Sequence, residues 1–185
     1  MVVLFKCVLI GDGAVGKTAL RERFLGKGFK ANYLITIGAD FALATKQIDE
    51  TTVKFQLWDI AGQPRFGSVR SIYYKNALGA LVVFDITRVN SFKNLRNWVD
   101  EYWTHNGHGI RPLLILGNKA DLRSKEPMNV SNEEGQTAAE QLSQETEAYG
   151  FSVPYLETSA KTALNVDQAF TLLGQAVLNF QTRGK

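Results

Sequence analysis

The chain has 185 residues, of which 45% are hydrophobic, and its formal net charge is +3 at pH 7. This length allows one sizeable hydrophobic core and disfavours two ordinary domains, so we expect a single domain over residues 1–185. The weakly basic charge, without a long lysine or arginine run, argues against nucleic acid as a partner, and the single Cys7 excludes an internal disulfide framework.

Short apolar runs alternate with segments of helical spacing along most of the chain. The apolar runs predict strands at residues 2–10, 39–48, 51–60, 79–87, 111–118 and 153–158. Helical spacing predicts helices at residues 16–26, 66–77, 91–105, 131–149 and 164–181. This alternation is typical of an α/β fold, in which about five helices cover both faces of a mostly parallel sheet. Because Asp49-Glu50-Thr51 resembles a hairpin turn, we expect a mixed sheet of six strands with one antiparallel edge strand.

The first predicted strand leads directly into GDGAVGKT, residues 11–18. The spacing between Gly11 and Gly16-Lys17-Thr18 fits the pattern of a phosphate-binding loop, whose glycines let backbone N–H groups face a phosphate. A helix is predicted immediately afterwards, and the free N–H groups at its N-terminus favour anions. A glycine-rich turn that matches the pattern by chance is the alternative interpretation.

The third predicted strand ends in Asp59-Ile60-Ala61-Gly62-Gln63. A carboxylate at this position can hold Mg²⁺ through water, and Gly62 allows a backbone N–H group to approach a terminal phosphate. Alone, this motif is also compatible with an ordinary turn. Its place after a phosphate-loop pattern favours the nucleotide interpretation.

Two further motifs follow later strands, at Asn118-Lys119-Ala120-Asp121 and Thr158-Ser159-Ala160-Lys161. A carboxylate such as that of Asp121 can accept hydrogen bonds from both the ring N–H and the amino group of guanine, and adenine offers no such pair of donors. The second motif could add a backbone N–H group to the base oxygen. Unrelated polar loops are the alternative, but the four motifs in this order indicate a guanine nucleotide site.

These motifs and their surroundings resemble the small GTPases of the Ras superfamily over nearly the whole chain. FKANYLITIGADF resembles the first switch of the Rab branch, WDIAGQPRFGSVRSIYYKNA resembles its second switch, and LVVFDIT and NKADL extend the similarity. GDGAVGKT also occurs in the Rho branch. The resemblance implies a P-loop NTPase G domain that uses Mg²⁺, with GTP as substrate and GDP as product.

The resemblance also implies a role for individual residues. Lys17 and Gln63 are the expected catalytic residues, since Lys17 neutralises phosphate charge and Gln63 orients the attacking water. Thr18 and Thr36 are expected to coordinate Mg²⁺ directly, and Asp59 through water. The full nucleotide-binding set is Gly11, Asp12, Gly13, Ala14, Val15, Gly16, Lys17, Thr18, Ala19, Phe29, Tyr33, Thr36, Gly62, Asn118, Lys119, Asp121, Ser159, Ala160 and Lys161.

Three members of this set lie outside the four motifs. Phe29 is expected to stack against the guanine, Tyr33 to cover the phosphates, and Thr36 to sense the terminal phosphate. The alternatives are that Phe29 is a core aromatic and Thr36 a threonine at the start of a strand.

The implied switch determines the expected partners. Thr36 and Gly62 lose a contact when the terminal phosphate leaves, so residues 30–40 and 60–75 should relax and should bind effectors, an exchange factor and an activating protein. We expect a monomer with slow intrinsic turnover, because no inserted domain presents an arginine in cis. Arg65 and Arg70 are expected at a surface or interface. The Rab similarity implies a role in membrane trafficking.

Three departures from the Rab pattern qualify the resemblance. Pro64 replaces an acidic residue and could constrain Gln63, which leaves open a GTP-binding interaction module with little hydrolysis. Besides the GTP-hydrolysing switch and the interaction module, an ATP-using kinase or ATPase is a third hypothesis for the function. Asn118 and Asp121 argue against it, because they belong to the motif that selects guanine. Ala39 replaces a larger aliphatic residue, so Rab partner specificity does not transfer directly. The stretch from Arg123 to Val153 is long and predicts an extended helix, either solvated or a partner surface.

The expected location is cytoplasmic, because no predicted segment can span a bilayer and no signal peptide begins the sequence. Val2 and the final QTRGK carry no myristoylation or prenylation signal, so a lipid anchor either was removed with a longer tail or never existed, and a peripheral association with membranes stays open. Trp98 and Trp103 are interpreted as helix-packing residues rather than as a binding site.

Overall fold

A computed structural model describes residues 1–29, 36–63, 67–125 and 129–183. Within these ranges one six-stranded sheet has the order β2-β3-β1-β4-β5-β6. Its strands are β1 (Val2–Ile10), β2 (Ala39–Ile48), β3 (Thr51–Ile60), β4 (Gly79–Asp85), β5 (Leu113–Asn118) and β6 (Tyr155–Thr158). The β2–β3 pair is antiparallel and the other pairs are parallel. The prediction of a mixed, mostly parallel sheet is confirmed.

The helices lie on both faces of this sheet. They are α1 (Lys17–Phe24), α2 (Gly67–Tyr74), α3 (Val89–Lys93), α4 (Leu95–His105), α5 (Asn132–Thr146) and α6 (Val166–Arg183). The helix predicted at 91–105 begins earlier and is divided at Asn94. The Ser91 hydroxyl donates to the Arg88 carbonyl at 2.7 Å and accepts from the Asp85 N–H at 3.0 Å, which fixes the first helical turn directly after β4.

Alternating side chains of the central strands divide the core into two layers. In β4, Ala80, Val82 and Phe84 pack with residues of α2, α4 and α5. The intervening Leu81 and Val83 pack with residues of α1 and α6. Both sets are buried because a parallel strand covered on two faces needs apolar side chains at successive positions. Cys7 also lies in the second layer, as expected of a packing residue.

The long segment before β6 contains the expected extended helix. Ser131 and Glu134 form a capping box at its start: the Glu134 N–H donates to the Ser131 hydroxyl at 3.1 Å, and the Ser131 N–H donates to the Glu134 carboxylate at 2.7 Å. The helix continues as a short 3₁₀ turn at Glu147–Tyr149 and ends at Gly150, whose φ is 79°. One side of α5 packs on the sheet and the other is exposed.

The hairpin between β2 and β3 is tighter than predicted. Ile48 pairs directly with Thr51, so the loop contains only Asp49 and Glu50, and Thr51 is already the first residue of β3. Asp49 has a φ of 49°, which an aspartate tolerates better than most residues. The turn therefore lies where the sequence indicated, with one residue fewer.

We expect Phe170→Leu to lower the free energy of unfolding by about 1–2 kcal/mol. Phe170 is 1% exposed and stacks on Phe24 with a centroid separation of 3.8 Å, so a smaller, non-planar side chain loses both volume and ring contact. Denaturant unfolding of the nucleotide-loaded protein measures the change. Leu164→Ala is the control, because Leu164 is 47% exposed and its replacement should change the free energy of unfolding by no more than about 0.5 kcal/mol. Equal effects of the two substitutions would contradict the packing argument.

Candidate nucleotide-binding site

All four sequence motifs lie at one edge of the sheet. They follow β1, β3, β5 and β6, and because these strands run parallel, their carboxyl ends meet at the same edge. Residues of the phosphate loop, Thr36, Gly62 and Gln63 line one small cleft there. The fold thus brings together residues that are widely separated in the sequence.

The phosphate loop requires glycine at its two ends. Gly11 has a φ of 136°, and a Cβ atom there would lie 2.0 Å from the Val83 carbonyl oxygen. Gly16 has a φ of 101°, and its Cβ would lie 2.3 Å from Asn118 Nδ2. Gly16 precedes α1 and no side chain caps that helix, so the first N–H groups of α1 are available to an anion.

Lys17 is a buried cation in the middle of this loop. Its Nζ donates to the Gly11 carbonyl at 2.7 Å and to the Asp12 carbonyl at 2.8 Å, and the residue is 6% exposed. Burial lowers the pKa of Lys17 to about 8, although the charges of Asp59 and Asp12 act in the opposite direction. The carbonyl groups of the phosphate loop therefore fix the position of the Lys17 ammonium group.

Two hydroxyls and a carboxylate converge beside Lys17. The Thr18 and Thr36 hydroxyl oxygens are 3.1 Å apart, and the Thr18 hydroxyl donates to Asp59. Asp59 is fully buried, its Oδ1 has no hydrogen-bond partner in the described ranges, and burial raises its pKa. A buried carboxylate with an unpaired oxygen next to two hydroxyls fits a hard cation such as Mg²⁺.

Thr36 and Phe29 do not fit the alternative interpretations made from sequence. Thr36 precedes β2, which begins only at Ala39, so it is not a strand residue. Phe29 is 44% exposed and is therefore not a core aromatic. Tyr33, Pro64 and Arg65 lie outside the described residues.

Gly62 packs directly against the phosphate loop. A Cβ atom at Gly62 would lie 2.2 Å from the Gly11 carbonyl oxygen and 2.6 Å from the Asp12 carbonyl oxygen. Gln63 follows, and its Cγ lies 3.4 Å from the position that a Cβ of Gly13 would occupy. The loop after β3 therefore contacts the phosphate loop through Gly62 and the adjoining Gln63.

Gly62→Ala should weaken binding of a non-hydrolysable GTP analogue by about tenfold or more, because overpacking costs about 1–3 kcal/mol. The added methyl group would force the loop after β3 away from the phosphate loop. GDP affinity should change less, since the sequence analysis expects Gly62 to contact the terminal phosphate, which GDP lacks. Competition binding with both nucleotides measures the ratio of the GTP-analogue affinity to the GDP affinity. Gly28→Ala is the control, because a Cβ atom there meets no atom within 4 Å. A GTP-analogue to GDP affinity ratio equal to that of the control would contradict this role.

Asn118 and Asp121 are held by the neighbouring motif. The Asn118 side chain donates to the Val15 carbonyl at 2.8 Å and accepts from the Thr158 hydroxyl at 3.3 Å. The Ser159 hydroxyl donates to the Asp121 carboxylate at 2.6 Å. Asn118 thereby joins the ends of β5 and β6 to the phosphate loop, and Ser159 orients the carboxylate that the sequence assigns to the guanine.

The remaining residues of this region have well-defined partners. The Lys119 ammonium lies 2.6 Å from the Asp85 carboxylate, which is 1% exposed. Arg23 of α1 donates to the carbonyls of Ala160 and Lys161, each at 2.8 Å. The last motif is therefore attached to the helix that follows the phosphate loop. Ala19 lies in the first turn of that helix.

Sequence reasoning missed a second set of contacts, behind the phosphate loop. The Asp12 carboxylate accepts from Trp98 Nε1 at 2.8 Å and from Asn94 Nδ2 at 3.0 Å. Trp98 is buried, as a packing residue should be, but it also fixes the loop. The Arg88 guanidinium donates to the Gly13 carbonyl at 3.0 Å. No motif signals these contacts, because they join side chains from distant parts of the chain.

Arg70, which the sequence analysis expected at a surface or interface, is partly buried and has partners within the protein. Its side chain is 12% exposed, and two of its N–H groups donate to Glu101 at 2.7 and 2.8 Å. The guanidinium also lies 4.5 Å from the centre of the Trp98 ring and donates to the Gln63 carbonyl at 3.3 Å. An acidic partner on α4 draws Arg70 inwards and fixes the backbone of Gln63.

Comparison with known proteins agrees with this geometry. A sequence model of the Ras family matches residues 6–179. "GTP-binding protein YPTM1" of Zea mays is 40% identical over 94% of this chain and 78% of its own length. "Ras-related protein Rab-8B" of Homo sapiens is 39% identical over 95% of this chain and 79% of its own. "Ras-related protein Rab-13" of Rattus norvegicus is 41% identical over 95% and 80% respectively. Both the motifs and these similarities show that the chain belongs to the Ras family.

Proposed function

We propose that this protein is a Rab-like molecular switch that binds GTP, hydrolyses it slowly to GDP and recruits effectors in the GTP-bound state. The observation that carries the proposal is the single cleft lined by the phosphate loop, Thr36, Gly62 and Gln63. Groups from three separate segments of the chain line this cleft, which supports its assignment to a terminal phosphate. Such an arrangement can respond to the presence or loss of that phosphate.

The residues of the cleft divide the chemistry of hydrolysis. Lys17 and the free N–H groups of the loop hold the phosphates, and Gln63 orients a water molecule towards the γ-phosphorus. The water oxygen bonds to that phosphorus as its bond to the bridging oxygen breaks, GDP leaves with the electron pair, and the water protons pass to solvent and the released phosphate. Mg²⁺ held by Thr18, Thr36 and, through water, Asp59 supplies neutralisation of phosphate charge when bound.

Base selection rests on Asp121. Its carboxylate would accept from the ring N–H and the amino group of guanine, while the Ser159 hydroxyl holds it in place. Phe29, which is 44% exposed, would cover one face of the base. An adenine in this site would leave the carboxylate without its two donors, which favours GTP over ATP.

The surface next to the cleft suits protein partners. Exposed apolar side chains occur at residues 36–41 and 69–72, where Ile37 is 78% and Ile72 is 63% exposed. Phe41, Trp58 and Tyr73 form a continuous aromatic row, with ring centres 5.2 and 5.9 Å apart. Effectors, an exchange factor and an activating protein would bind at residues 30–40 and 60–75, where the apolar surface adjoins groups that sense the phosphate.

We propose a role in membrane trafficking, which the resemblance of the sequence to the Rab branch implies. In the part of the chain that the structure describes, no helix combines the length and the apolar character that crossing a bilayer requires. We propose that the protein acts as a monomer in the cytoplasm and associates peripherally with a membrane.

Identification of the nucleotide released by denaturing freshly purified protein tests the proposal. Mostly GDP, together with single-turnover hydrolysis of added GTP, is the expected result. Mostly GTP with no turnover would instead favour an interaction module with little hydrolysis. Adenine nucleotide would contradict the base assignment.

A further inference from the structure

Arg21 is a buried cation on the inner side of α1. The residue is 3% exposed, and its guanidinium Nη2 donates to the Asp40 carboxylate at 2.5 Å. Its other two nitrogens, Nε and Nη1, are buried and have no hydrogen-bond partner among the described residues. Because charged donors are costly to bury without partners, this guanidinium calls for a second anionic neighbour.

Helical spacing puts Arg21 on the same side of α1 as two residues of the nucleotide site. Arg21 follows Lys17 by four positions and Thr18 by three, and residues at these separations share one side of a helix. The Thr18 hydroxyl donates to the Asp59 carboxylate. Arg21 therefore begins one helical turn beyond the point at which α1 contacts Asp59.

The register of β2 and β3 brings the same carboxylate beside Asp40. Asp40 pairs directly with Asp59 in the antiparallel ladder, so the two side chains lie on the same face of the sheet. Like charges that are directly opposite each other destabilise such a pair. Arg21 is bonded to Asp40, while Oδ1 of Asp59 is buried and unpaired among the described residues. Both the helix and the strand register thus place Arg21 next to Asp59.

The charges around Asp59 have opposing effects on its carboxyl group. Burial is the largest influence and raises the pKa of Asp59, and the charge of Asp40 acts in the same direction. The charges of Lys17 and Arg21 favour the ionised form. Lys17 is held by two carbonyls of the phosphate loop and is assigned to the phosphates. Of these two cations, Arg21 is the one that has no assigned role at the nucleotide.

We propose that Arg21 is the internal counter-ion of Asp59 when a nucleotide is bound without Mg²⁺, an inference that rests on the proposed function. Without a metal ion, the Asp59 carboxylate is an unbalanced negative charge close to the phosphates of GDP. The Arg21 guanidinium keeps its proton at any physiological pH and balances that charge. Arg21 therefore slows the loss of nucleotide after Mg²⁺ dissociates, and its positive charge lowers the affinity of the site for Mg²⁺.

Release of a fluorescent GDP analogue, measured in excess Mg²⁺ and in excess EDTA, tests this inference. The informative quantity is the release ratio, which is the rate in EDTA divided by the rate in Mg²⁺. We expect Arg21→Met to raise the release ratio by about tenfold, because methionine occupies part of the same space but carries no charge. Arg21→Lys keeps the charge and should restore most of the parental ratio. Arg96→Met is the matched control, since Arg96 pairs with Asp100 on the exposed side of α4.

Two further variants separate the charge of Arg21 from a role in holding β2. Asp40→Asn removes the carboxylate to which Arg21 is bonded but leaves the guanidinium charge, so the release ratio should not rise. In an Asp59→Asn background, Arg21→Met should leave the ratio unchanged, because there is no longer a carboxylate to balance. If Asp40→Asn raised the ratio as much as Arg21→Met does, the proposal would be overturned, because Arg21 would then only hold Asp40.

The outcomes for the inference and for the proposed function are distinct. A parental release ratio in Arg21→Met refutes only the role of Arg21, whereas a parent protein that binds no GDP analogue refutes the proposed function. If Arg21→Met binds no GDP analogue even in Mg²⁺, Arg21→Gln takes its place, since glutamine keeps an N–H donor for Asp40 but no charge. The same rise in the ratio is then expected, and its absence would overturn the proposal.

Discussion

Asp121→Asn is expected to lower the affinity for GTP by about 10²- to 10³-fold, because the asparagine N–H group would face the guanine amino group, so one hydrogen bond of about 1.5–3 kcal/mol is lost and the bond from the ring N–H loses its charged acceptor. The same substitution should improve binding of xanthosine triphosphate. Xanthine carries a carbonyl where guanine has its amino group, so an asparagine side chain can donate to that carbonyl and accept from the ring N–H. The Ser159 hydroxyl, 2.6 Å from the carboxylate, can still hold the amide in position.

Competition of both nucleotides against a labelled GDP analogue measures this exchange of specificity. The xanthine arm distinguishes altered recognition from misfolding, since an unfolded protein would bind neither base. Asp49→Asn is the matched control, because Asp49 lies in the β2–β3 hairpin and, among the described residues, no contact links it to the nucleotide motifs. Unchanged GTP affinity in Asp121→Asn would show that another group selects the base.

Gln63→Ala is expected to slow single-turnover hydrolysis of GTP by about 10²-fold, the lower end of what one group that positions or activates water contributes. GDP affinity should stay within a few-fold of the parent, because the side chain adjoins Gly13 at the terminal-phosphate end of the cleft. The backbone should not move, since the Gln63 carbonyl remains bonded to Arg70.

Rapid mixing of Mg²⁺ with protein that has been preloaded with GTP, followed by detection of the released phosphate, gives the hydrolysis rate. Gln144→Ala, on the exposed side of α5, is the control and should hydrolyse GTP at the parental rate. A parental rate in Gln63→Ala would remove this residue from the mechanism. Undetectable hydrolysis in both the parent and Gln63→Ala would instead favour the interaction module that Pro64 suggested.

The sequence was sufficient to predict the mixed sheet and the edge of the sheet at which the motifs lie. Each motif directly follows an apolar run, and parallel strands bring their carboxyl ends together, so Gly11, Asp59 and Asn118 had to lie near one another. The two-residue hairpin after Ile48 and the division of the helix at Asn94 differ from prediction, since such boundaries depend on hydrogen bonds that a local pattern does not specify.

The contacts behind the phosphate loop could not be predicted in the same way. Trp98, Arg88 and Arg70 have no characteristic spacing relative to the loop, and each was either unassigned or assigned to another role. Their positions depend on how α3 and α4 pack beside β4, which fixes the distance between residues that are far apart in sequence. Local residue type predicts which groups bind phosphate, whereas tertiary packing decides which groups hold them in place.

The side-chain amide of Asn118 couples the two ends of the nucleotide site. Because one buried side chain bonds to the Val15 carbonyl and to the Thr158 hydroxyl, the base end and the phosphate end of the site cannot loosen independently. We therefore expect the dissociation rate of a bound nucleotide to depend on the hydrogen bonds of Asn118 as well as on the contacts that the nucleotide itself makes.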